Sequence, residues 1–463
     1  MMKIDHEQLY KMVEQLMGET AVPGACVGVL QNGETHVAGF GVTNVNHPLD
    51  VTADTLFQIG SITKTYTATL LLRLVELGKL DLDAPLLTYL PDFRVGDETV
   101  AGQVRVRDLL THTAGWVGDH FIDTGSGGDA NRNYAASMAG LPQLAPPGTH
   151  FSYNNASFSL AGHLIETITD MSYEAAMQQY IFDPLGLHHS YFYAGDVMTH
   201  RFAVGHRVTE NGAEVQTPWP LPRAVHPAGA ICCSVGDLLR YAQFHLNDGA
   251  LAVTPTTDTP TTDHQQLMSA DVVRQMRTAQ FAVGDMMEAI GLAWFLDSVD
   301  GVLTASHGGA TVGQLSLLLL VPERQFALAI VTNADYGRVL TKELSRWMLG
   351  HYLGLHVAEP EPIELPEEAL KPLVGVYKRP FQDVALGWEN GRLSLAVTFK
   401  QPFPTADTPL PPPLPPAPLT PIAPDRFVVL EGPMKHQLAS IIRQPDGSVG
   451  WLRYGGRIHK VCI

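Results

Sequence analysis

Three short groups of residues in this chain could together supply a nucleophile, a proton acceptor and hydrogen-bond donors. The first is Ser61 with Lys64, at the start of the apolar stretch SITKTYTATLLLRLVEL. Residues three apart lie on the same face of a helix, so the lysine can reach the serine hydroxyl. If burial removes the charge of the lysine, its amine can accept the hydroxyl proton and activate the serine. The positive end of the helix would favour the resulting alkoxide.

The other two groups follow along the chain. Tyr153 comes 92 residues after Ser61 and, with Asn155, precedes a second apolar stretch predicted to be helical. A phenol can relay a proton to a leaving group, and an amide can hold a substrate carbonyl. His307 comes 154 residues after Tyr153 and, with Gly308 and Gly309, precedes the most apolar strand pattern of the chain. Each group alone also has an ordinary structural explanation, as a helix cap, a loop or a turn.

The elements that must position these groups are predicted from hydrophobic periodicity. The predicted helices are residues 5–17, 61–77 and 339–352, and the predicted strands are residues 25–31, 34–41, 314–321 and 326–333. The last two strands are apolar along their whole length, which is typical of a sheet covered on both faces. We therefore predict an α/β fold in which one antiparallel sheet, built from both chain ends, is flanked by helices. A mainly α-helical subdomain is inserted between the two halves of the sheet.

The pattern changes near residue 360. Five short strand-like runs separated by turn signals predict a small C-terminal β-barrel domain at residues 361–463, after a first domain at residues 1–360. Residues 402–421 are rich in proline and are expected to form an extended loop. The polar run at residues 254–263 is expected to form a surface loop.

Composition excludes several functions. The chain has 463 residues and a formal charge of −17, so nucleic acid and anionic membranes would repel it. The N-terminal residues carry charges throughout and no apolar core of a signal peptide, which favours a cytoplasmic protein. The four cysteines have no spacing of a zinc site and are expected to be buried free thiols.

In this order, the three groups resemble the serine β-lactamase and penicillin-binding-protein superfamily, in particular its class C-like branch of esterases, peptidases and β-lactamases. The stretches PGACVGVLQNG, VRDLLTHTAGW, FSYNNASFSLAG and GAICCSVGDLL support the resemblance, which covers about residues 5–355. The C-terminal stretch IIRQPDGSVGWLRYGGR is similar to the lipocalin-like β-barrel appended to several members.

The resemblance implies a role for each residue. Ser61 would be the nucleophile that forms an acyl-enzyme, Lys64 its proton acceptor and Tyr153 the group that protonates the leaving group. Which of Lys64 and Tyr153 is the general base stays open, because coupled groups share their titrations. Asn155 would orient the substrate and Lys64. No metal or organic cofactor is implied.

The resemblance also assigns the oxyanion hole. Its two donors would be the backbone N–H groups of Ser61 and Ala310, the residue that follows His307, Gly308 and Gly309. His307 and Gly309 would border the substrate. His112, in the stretch THTAGW, is expected to hold its loop near the site.

One departure from the family pattern bears on the substrate. Many β-lactamases and D,D-peptidases have Lys-Thr-Gly where this chain has His307, Gly308 and Gly309, and a histidine is mostly neutral near pH 7. We therefore expect an esterase or a D-aminopeptidase-like enzyme acting on small esters, peptides or amides. The alternatives are a β-lactamase or D,D-carboxypeptidase, and, from another class, a non-catalytic binding protein on the same scaffold. The sequence leaves the oligomeric state open.

Overall fold

The computed structural model describes residues 6–251, 265–406, 408–410, 413–432 and 434–462. The surface loop expected at residues 254–263 lies outside the described residues. Helices α1–α14 of the described part are His6–Thr20, Thr63–Glu76, Glu98–Ala101, Val106–Leu110, Ala130–Ser137, Asn155–Thr169, Tyr173–Met177, Asp183–Leu185, Ala194–Val197, His226–Gly229, Val235–Leu246, Ala270–Met276, Gly337–Leu353 and Glu367–Leu370.

The strands complete the element order. Strands β1–β22 of the described part are Gly24–Gln31, Glu34–Gly41, Phe57–Gln58, Ser190–Tyr191, His206–Thr209, Gly212–Val215, Cys232–Cys233, Phe281–Ala282, Ala289–Ile290, Phe295–Val299, Val302–Ala310, Leu315–Val321, Phe326–Thr332, Gly375–Lys378, Gln382–Glu389, Arg392–Phe399, Ala417–Pro418, Thr420–Ala423, Arg426–Val428, Leu438–Arg443, Val449–Tyr454 and Arg457–Cys462.

The predicted sheet from both chain ends is confirmed. Its eight strands are antiparallel neighbours in the order β2-β1-β13-β12-β11-β10-β9-β8. The hairpin of β1 and β2 turns at Asn32 and Gly33, whose φ angles of 52° and 85° suit the two-residue turns that join antiparallel strands. The pairing of β1 with β13 joins the first strand of the chain to a strand some 300 residues later.

Both faces of this sheet are covered, as the continuous apolar strands predicted. Successive residues of β1 point to opposite faces, so Cys26 and Leu30 enter one apolar core and Val27 and Val29 enter another. The first core contains α2 and the inserted helical region, and the second contains α1 and α13. The sheet therefore forms a rigid wall between two packed layers.

The predicted helix at residues 61–77 begins differently from the prediction. Residues Gly60–Ile62 form one turn of 3₁₀-helix, and α2 follows from Thr63 to Glu76. The helix ends where Gly78 adopts a φ of 69°. Ser61 thus lies in the tighter turn that precedes α2, while Lys64 lies in the first turn of α2 itself.

The C-terminal region forms a second sheet with its own core. Nine strands follow the order β17-β16-β15-β14-β22-β21-β20-β19-β18, around a third apolar core. The two edge strands, β17 and β18, are separated in the chain by Leu419 alone, so the sheet curls back on itself into a nearly closed barrel. The end of the proline-rich segment supplies these two edges, where proline is tolerated.

Two further features concern the whole chain. Cys26, Cys232 and Cys233 are buried free thiols, as predicted. Among the described residues, no helix combines the length and the apolar character needed to cross a membrane.

Candidate active site

The turn at Gly60–Ile62 presents Ser61 beside Lys64. Ser61 is partly exposed, whereas the Lys64 side chain is fully buried, and the Lys64 Nζ lies 3.0 Å from the Ser61 Oγ. Gly60 makes this placement possible, because its φ is 53° and a Cβ there would lie 2.5 Å from the Ala310 nitrogen. The hydroxyl is therefore open to solvent while its neighbouring amine is not.

The surroundings of Lys64 favour its neutral form. Its Nζ donates to the carbonyl oxygen of Ala228, in α10, over 2.5 Å. Burial lowers the pKa of Lys64 well below its usual value, and the nearby guanidinium of Arg457 lowers it further, while Asp119 acts in the opposite direction. A neutral amine that donates to Ala228 keeps a lone pair for the Ser61 hydroxyl proton.

Tyr153 completes this group. It precedes α6, is buried, and its ring centroid lies 5.0 Å from the Lys64 Nζ. Burial raises the pKa of Tyr153, whereas the Ser61 side chain and the Arg457 guanidinium lower it. The structure thus brings Ser61 and Lys64, from one part of the chain, together with Tyr153 from another.

The loop that precedes α6 is held by His112. The imidazole is fully buried, its Nδ1 accepts the backbone N–H of Asn154 over 2.9 Å, and its ring stacks on Tyr153 at 4.4 Å. Burial, Lys64 and His307 lower the pKa of His112 well below its usual value. Its φ of 58° is uncommon for a residue with a side chain, which is consistent with a position fixed by packing. These contacts agree with the structural role expected for His112.

Strand β11 forms the opposite side of the site. His307 is buried with its ring stacked on Phe295 at 4.6 Å, and burial together with Lys64 lowers its pKa to about 3. The strand approaches the Gly60–Ile62 turn so closely that a Cβ on Gly309 would lie 1.9 Å from the carbonyl oxygen of Ile59. Ala310, at the exposed end of β11, then lies against Gly60, next to Ser61.

Asn155 contacts a different partner from the one expected. Its Nδ2 donates to Asp119 Oδ1 over 2.8 Å, whereas the hydrogen bonds recorded for the Lys64 amine run to Ser61 and Ala228. The orientation of Lys64 by Asn155 therefore stays a prediction. Asp119 is almost fully buried, with 2% of its side chain exposed, and is a centre of charge that sequence reasoning missed.

Two arginines of the C-terminal sheet pair with Asp119. Arg457 approaches with its Nε 3.2 Å from Oδ2 and its Nη2 3.3 Å from Oδ1. The buried Arg379 lies with its Nη2 3.1 Å from Oδ2. The two guanidiniums, together with Asn155, hold the pKa of Asp119 at about 2 against the effect of burial. The carboxylate therefore stays ionised where the C-terminal region packs on the loop between α4 and α5.

The turn that carries Arg457 enters the site. Gly455 and Gly456, with φ angles of 55° and 79°, join β21 to β22. The Gly456 carbonyl oxygen accepts the backbone N–H of Tyr153 over 2.8 Å, and the Arg457 guanidinium lies 4.6 Å from the centroid of the Tyr153 ring. The Gly-Gly pair was the available signal of a tight hairpin turn, but nothing in the sequence indicates where that turn docks.

The structure gives the predicted site residues a common location. Lys64 lies beside Ser61 and Tyr153, and the His307 ring lies 6.1 Å from the Tyr153 ring. Gly309 and Ala310 pack against the Gly60–Ile62 turn and the residue before it, whereas Asn155 contacts Asp119. Sequence reasoning missed the part that Asp119, Ala228, Arg379 and Arg457 play here. The first three carry no recognisable motif, and Arg457 ends a stretch that indicates only a β-barrel. Among the described residues, no group of three or more His, Cys, Asp or Glu side chains is arranged to hold a metal ion.

Comparison with known proteins identifies the family. A family model described as beta-lactamase matches residues 9–351. The chain belongs to the beta-lactamase family. Beta-lactamase-family homologues are serine hydrolases acting on esters, amides or peptides, so this chain is a serine hydrolase of that family.

Two curated relatives illustrate the range of this family. Penicillin-binding protein 4 of Amycolatopsis lactamdurans is 34% identical over 393 residues, which are 82% of this chain and 99% of the relative. The unguisins hydrolase ungD of Aspergillus violaceofuscus (strain CBS 115571) is 27% identical over 336 residues, which are 68% of this chain and 59% of the relative. The second relative therefore has a large part that this chain does not match.

Two solved structures are similar to this chain over the C-terminal sheet as well. The crystal structure of SurE with D-Leu has a TM-score of 0.73 at 27% identity and covers 98% of this chain and 99% of SurE. The octameric penicillin-binding protein homologue from Pyrococcus abyssi has a TM-score of 0.66 at 23% identity and covers 99% of this chain and 100% of the homologue. The second likeness concerns the fold alone.

Proposed function

We propose that this serine hydrolase acts through an acyl-enzyme at Ser61 on small esters, peptides or amides. The observation that carries the proposal is the 3.0 Å approach of a fully buried lysine amine to a partly exposed serine hydroxyl. Burial of that amine favours its neutral, proton-accepting form. A binding protein would have no use for a buried lysine in this state.

The proposed reaction begins with attack of the Ser61 Oγ on the substrate carbonyl carbon. The O–H bond breaks, the proton passes to Lys64 or to an ionised Tyr153, and an oxygen–carbon bond forms. Collapse of the tetrahedral intermediate breaks the bond to the leaving group, which takes a proton through Tyr153. Water then attacks the acyl-enzyme in the reverse sense and releases the acid.

The backbone of the site supports an oxyanion hole. The N–H groups of Ser61 and Ala310 are the proposed donors, and the close contact of Gly60 with Ala310 brings the two backbone segments together. Loss of one such donor typically costs about a hundredfold or more in rate. The absence of a side chain at Gly60 and Gly309 is what permits the approach.

The proposed substrates follow from the electrostatics of β11 and from relatives. His307 has a pKa of about 3 and is neutral at physiological pH, so it supplies no cation for a substrate carboxylate. An enzyme named for the hydrolysis of unguisins and a structure that holds D-Leu lie among the relatives, which favours small peptides and D-amino acid derivatives.

The alternative substrates are β-lactams or D,D-peptides. The relative named penicillin-binding protein 4 favours them, as does the partly exposed guanidinium of Arg457, which could attract a carboxylate. Asp119 already pairs with that guanidinium, which makes it less available to a substrate carboxylate. Small esters, peptides and amides therefore remain the primary proposal.

A substrate panel tests the proposal. We expect 4-nitrophenyl butyrate or D-alanine 4-nitroanilide to be hydrolysed with a higher kcat/KM than nitrocefin. Ser61→Ala should lower every rate by about a thousandfold or more. A higher kcat/KM for nitrocefin would establish the alternative substrates, and undiminished turnover by Ser61→Ala would refute the proposed mechanism.

A further inference from the structure

The turn between β21 and β22 brings a permanent cation to the side chains that are proposed to move protons. The Arg457 guanidinium lies 4.6 Å from the centroid of the Tyr153 ring, and the Lys64 Nζ lies 5.0 Å from the same centroid. An arginine remains protonated at every pH at which the enzyme is folded. Lys64 and Tyr153 therefore titrate beside a fixed positive charge that belongs to the C-terminal sheet.

Several contacts fix that charge in place. Asp119 accepts from the Nε and the Nη2 of Arg457, and the Nη1 donates to the Gly455 carbonyl oxygen over 2.7 Å. The backbone N–H of Tyr153 donates to Gly456, the residue before Arg457. The guanidinium and the phenol are thus joined through one short segment, and the side chain of Arg457 is only 26% exposed.

The balance of charge at this place is positive. Asp119 alone would favour a protonated Lys64, but its carboxylate is shared between the guanidiniums of Arg457 and Arg379. At both Lys64 and Tyr153, the effect of Arg457 on the pKa is larger than the opposing effect of Asp119. The other titratable groups that face Lys64, Tyr153 and Arg457 are His112, His307, Arg338, Tyr454 and His459.

The three histidines among those groups do not change this balance. Burial lowers the pKa of His112 well below its usual value, and it lowers the pKa of His307 and of His459 to about 3. They are therefore neutral where the enzyme is expected to work. Arg338 adds a further positive charge near Arg457.

We propose that Arg457 is a positioning residue for proton transfer at Ser61: its guanidinium, held by Asp119 against the Tyr153 ring, keeps the proton-accepting group in the form that can receive the serine proton. The inference rests on the proposed roles of Ser61, Lys64 and Tyr153. It makes the C-terminal sheet part of the reaction site, although none of its atoms is required to touch the substrate.

Arg457 changes the pKa in the same direction for both candidates for the general base, Lys64 and Tyr153. A cation favours the neutral form of a lysine and the ionised form of a tyrosine, so Arg457 lowers the pKa of both. Removal of its charge therefore raises the pKa of whichever group accepts the proton. The acid limb of the pH profile then moves to higher pH.

The pH dependence of kcat/KM for 4-nitrophenyl butyrate tests the inference in the full-length protein. We expect Arg457→Gln to displace the acid limb upward, and a displacement of one pH unit lowers kcat/KM about tenfold at a pH on that limb. Above the limb, Arg457→Gln should approach the rate of the parent enzyme. Arg457→Lys, which keeps a positive charge, should have the acid limb of the parent.

Arg379→Gln is the matched control. It removes the other guanidinium that pairs with Asp119, from the connection between β14 and β15, whereas the charges that act on Lys64 and Tyr153 are those of Arg457 and Asp119. We expect it to lower the thermal stability and to leave the acid limb unchanged. An equal displacement by Arg379→Gln and Arg457→Gln would overturn the inference, since docking of the sheet would then explain both.

Two other results would also overturn it. Arg457→Gln could lower kcat/KM by the same factor at every pH, or Arg457→Lys could displace the limb as far as Arg457→Gln does. Neither result would touch the proposed function, which fails separately if Ser61→Ala retains the activity of the parent. The two failures are therefore distinguishable in one set of variants.

Discussion

Lys64 shows how burial can make a single side chain suited to accept a proton at the expense of stability. A lysine in water is protonated below about pH 10. Here its side chain is fully buried, and burial lowers its pKa well below that value. The folded protein therefore binds one proton fewer than the unfolded chain over the intervening pH range.

This difference predicts the pH dependence of stability. Because the unfolded state binds more protons, the free energy of unfolding rises with pH between the folded pKa and the unfolded pKa of Lys64. Burial of the Lys64 amine therefore lowers the free energy of unfolding. This loss of stability is fully present below the pKa of Lys64 in the folded protein and disappears above its pKa in the unfolded chain. Its slope is up to about 1.4 kcal/mol for each pH unit.

Lys64→Met tests both consequences of the buried amine. We expect kcat/KM to fall by about 10²–10⁴-fold, the usual contribution of a general base. The stability of the variant relative to the parent should improve as the pH is lowered from 9.5 to 7.5, measured by urea unfolding. A stability difference that is the same at both pH values would show that Lys64 is protonated in the folded protein.

At the scale of elements, the site depends on the contact between β11 and the Gly60–Ile62 turn. Gly309 packs against the carbonyl oxygen of Ile59, and Ser316 of the neighbouring β12 donates to that same oxygen over 2.7 Å. A Cβ on Gly309 would lie 2.3 Å from the Ser316 Oγ as well. No rotation of a flexible side chain relieves both contacts.

Gly309→Ala should therefore displace the Gly60–Ile62 turn from the strand. Overpacking of this kind costs about 1–3 kcal/mol, and the ester hydrolysis rate should fall because Ser61 and Ala310 move apart. Gly308→Ala is the control, since its Cβ would lie 3.6 Å from the nearest atom, the Ser316 carbonyl oxygen. Equal melting temperatures and rates for the two alanine variants would contradict this account of β11.

Elements with a strong local pattern were predictable from the sequence. The Asn32–Gly33 hairpin, the apolar β12 and β13, and α1 and α13 each follow from periodicity over a few residues. The start of α2 was less predictable, because the 3₁₀ turn around Ser61 depends on the contact of Gly60 with Ala310, 250 residues away. Ser61 and Lys64 are nevertheless neighbours, as the spacing predicted, because a 3₁₀ turn also places residues three apart on one side.

At the scale of the whole molecule, the residues that the sequence did not reveal are those that join its two parts. Asp119 and Arg379 lie in connecting segments without a motif, and Arg457 begins a strand whose pattern indicates only a sheet. Ala228 contributes a backbone oxygen, which any residue could supply. These residues matter because the C-terminal sheet docks onto the hydrolase fold. No local sequence pattern predicts that docking.

The overall charge of the chain likewise does not predict the charge beside its candidate active site. The chain carries a formal charge of −17, yet the Arg457 guanidinium lies 4.6 Å from the centroid of the Tyr153 ring, and Arg379 pairs with the neighbouring Asp119. Composition alone predicts an acidic molecule that repels nucleic acid and anionic membranes. Only the arrangement in space reveals that a guanidinium lies beside Tyr153 and lowers the pKa of Lys64.

The central claim is that Ser61 is the residue that becomes acylated, and a fluorophosphonate probe tests it directly. We expect one probe molecule to attach to each chain, on the proteolytic peptide that contains Ser61, with loss of ester hydrolysis in proportion to the labelled fraction. Ser61→Ala should remain unlabelled. Attachment to another residue, or full hydrolysis of 4-nitrophenyl butyrate after complete labelling of Ser61, would contradict the account.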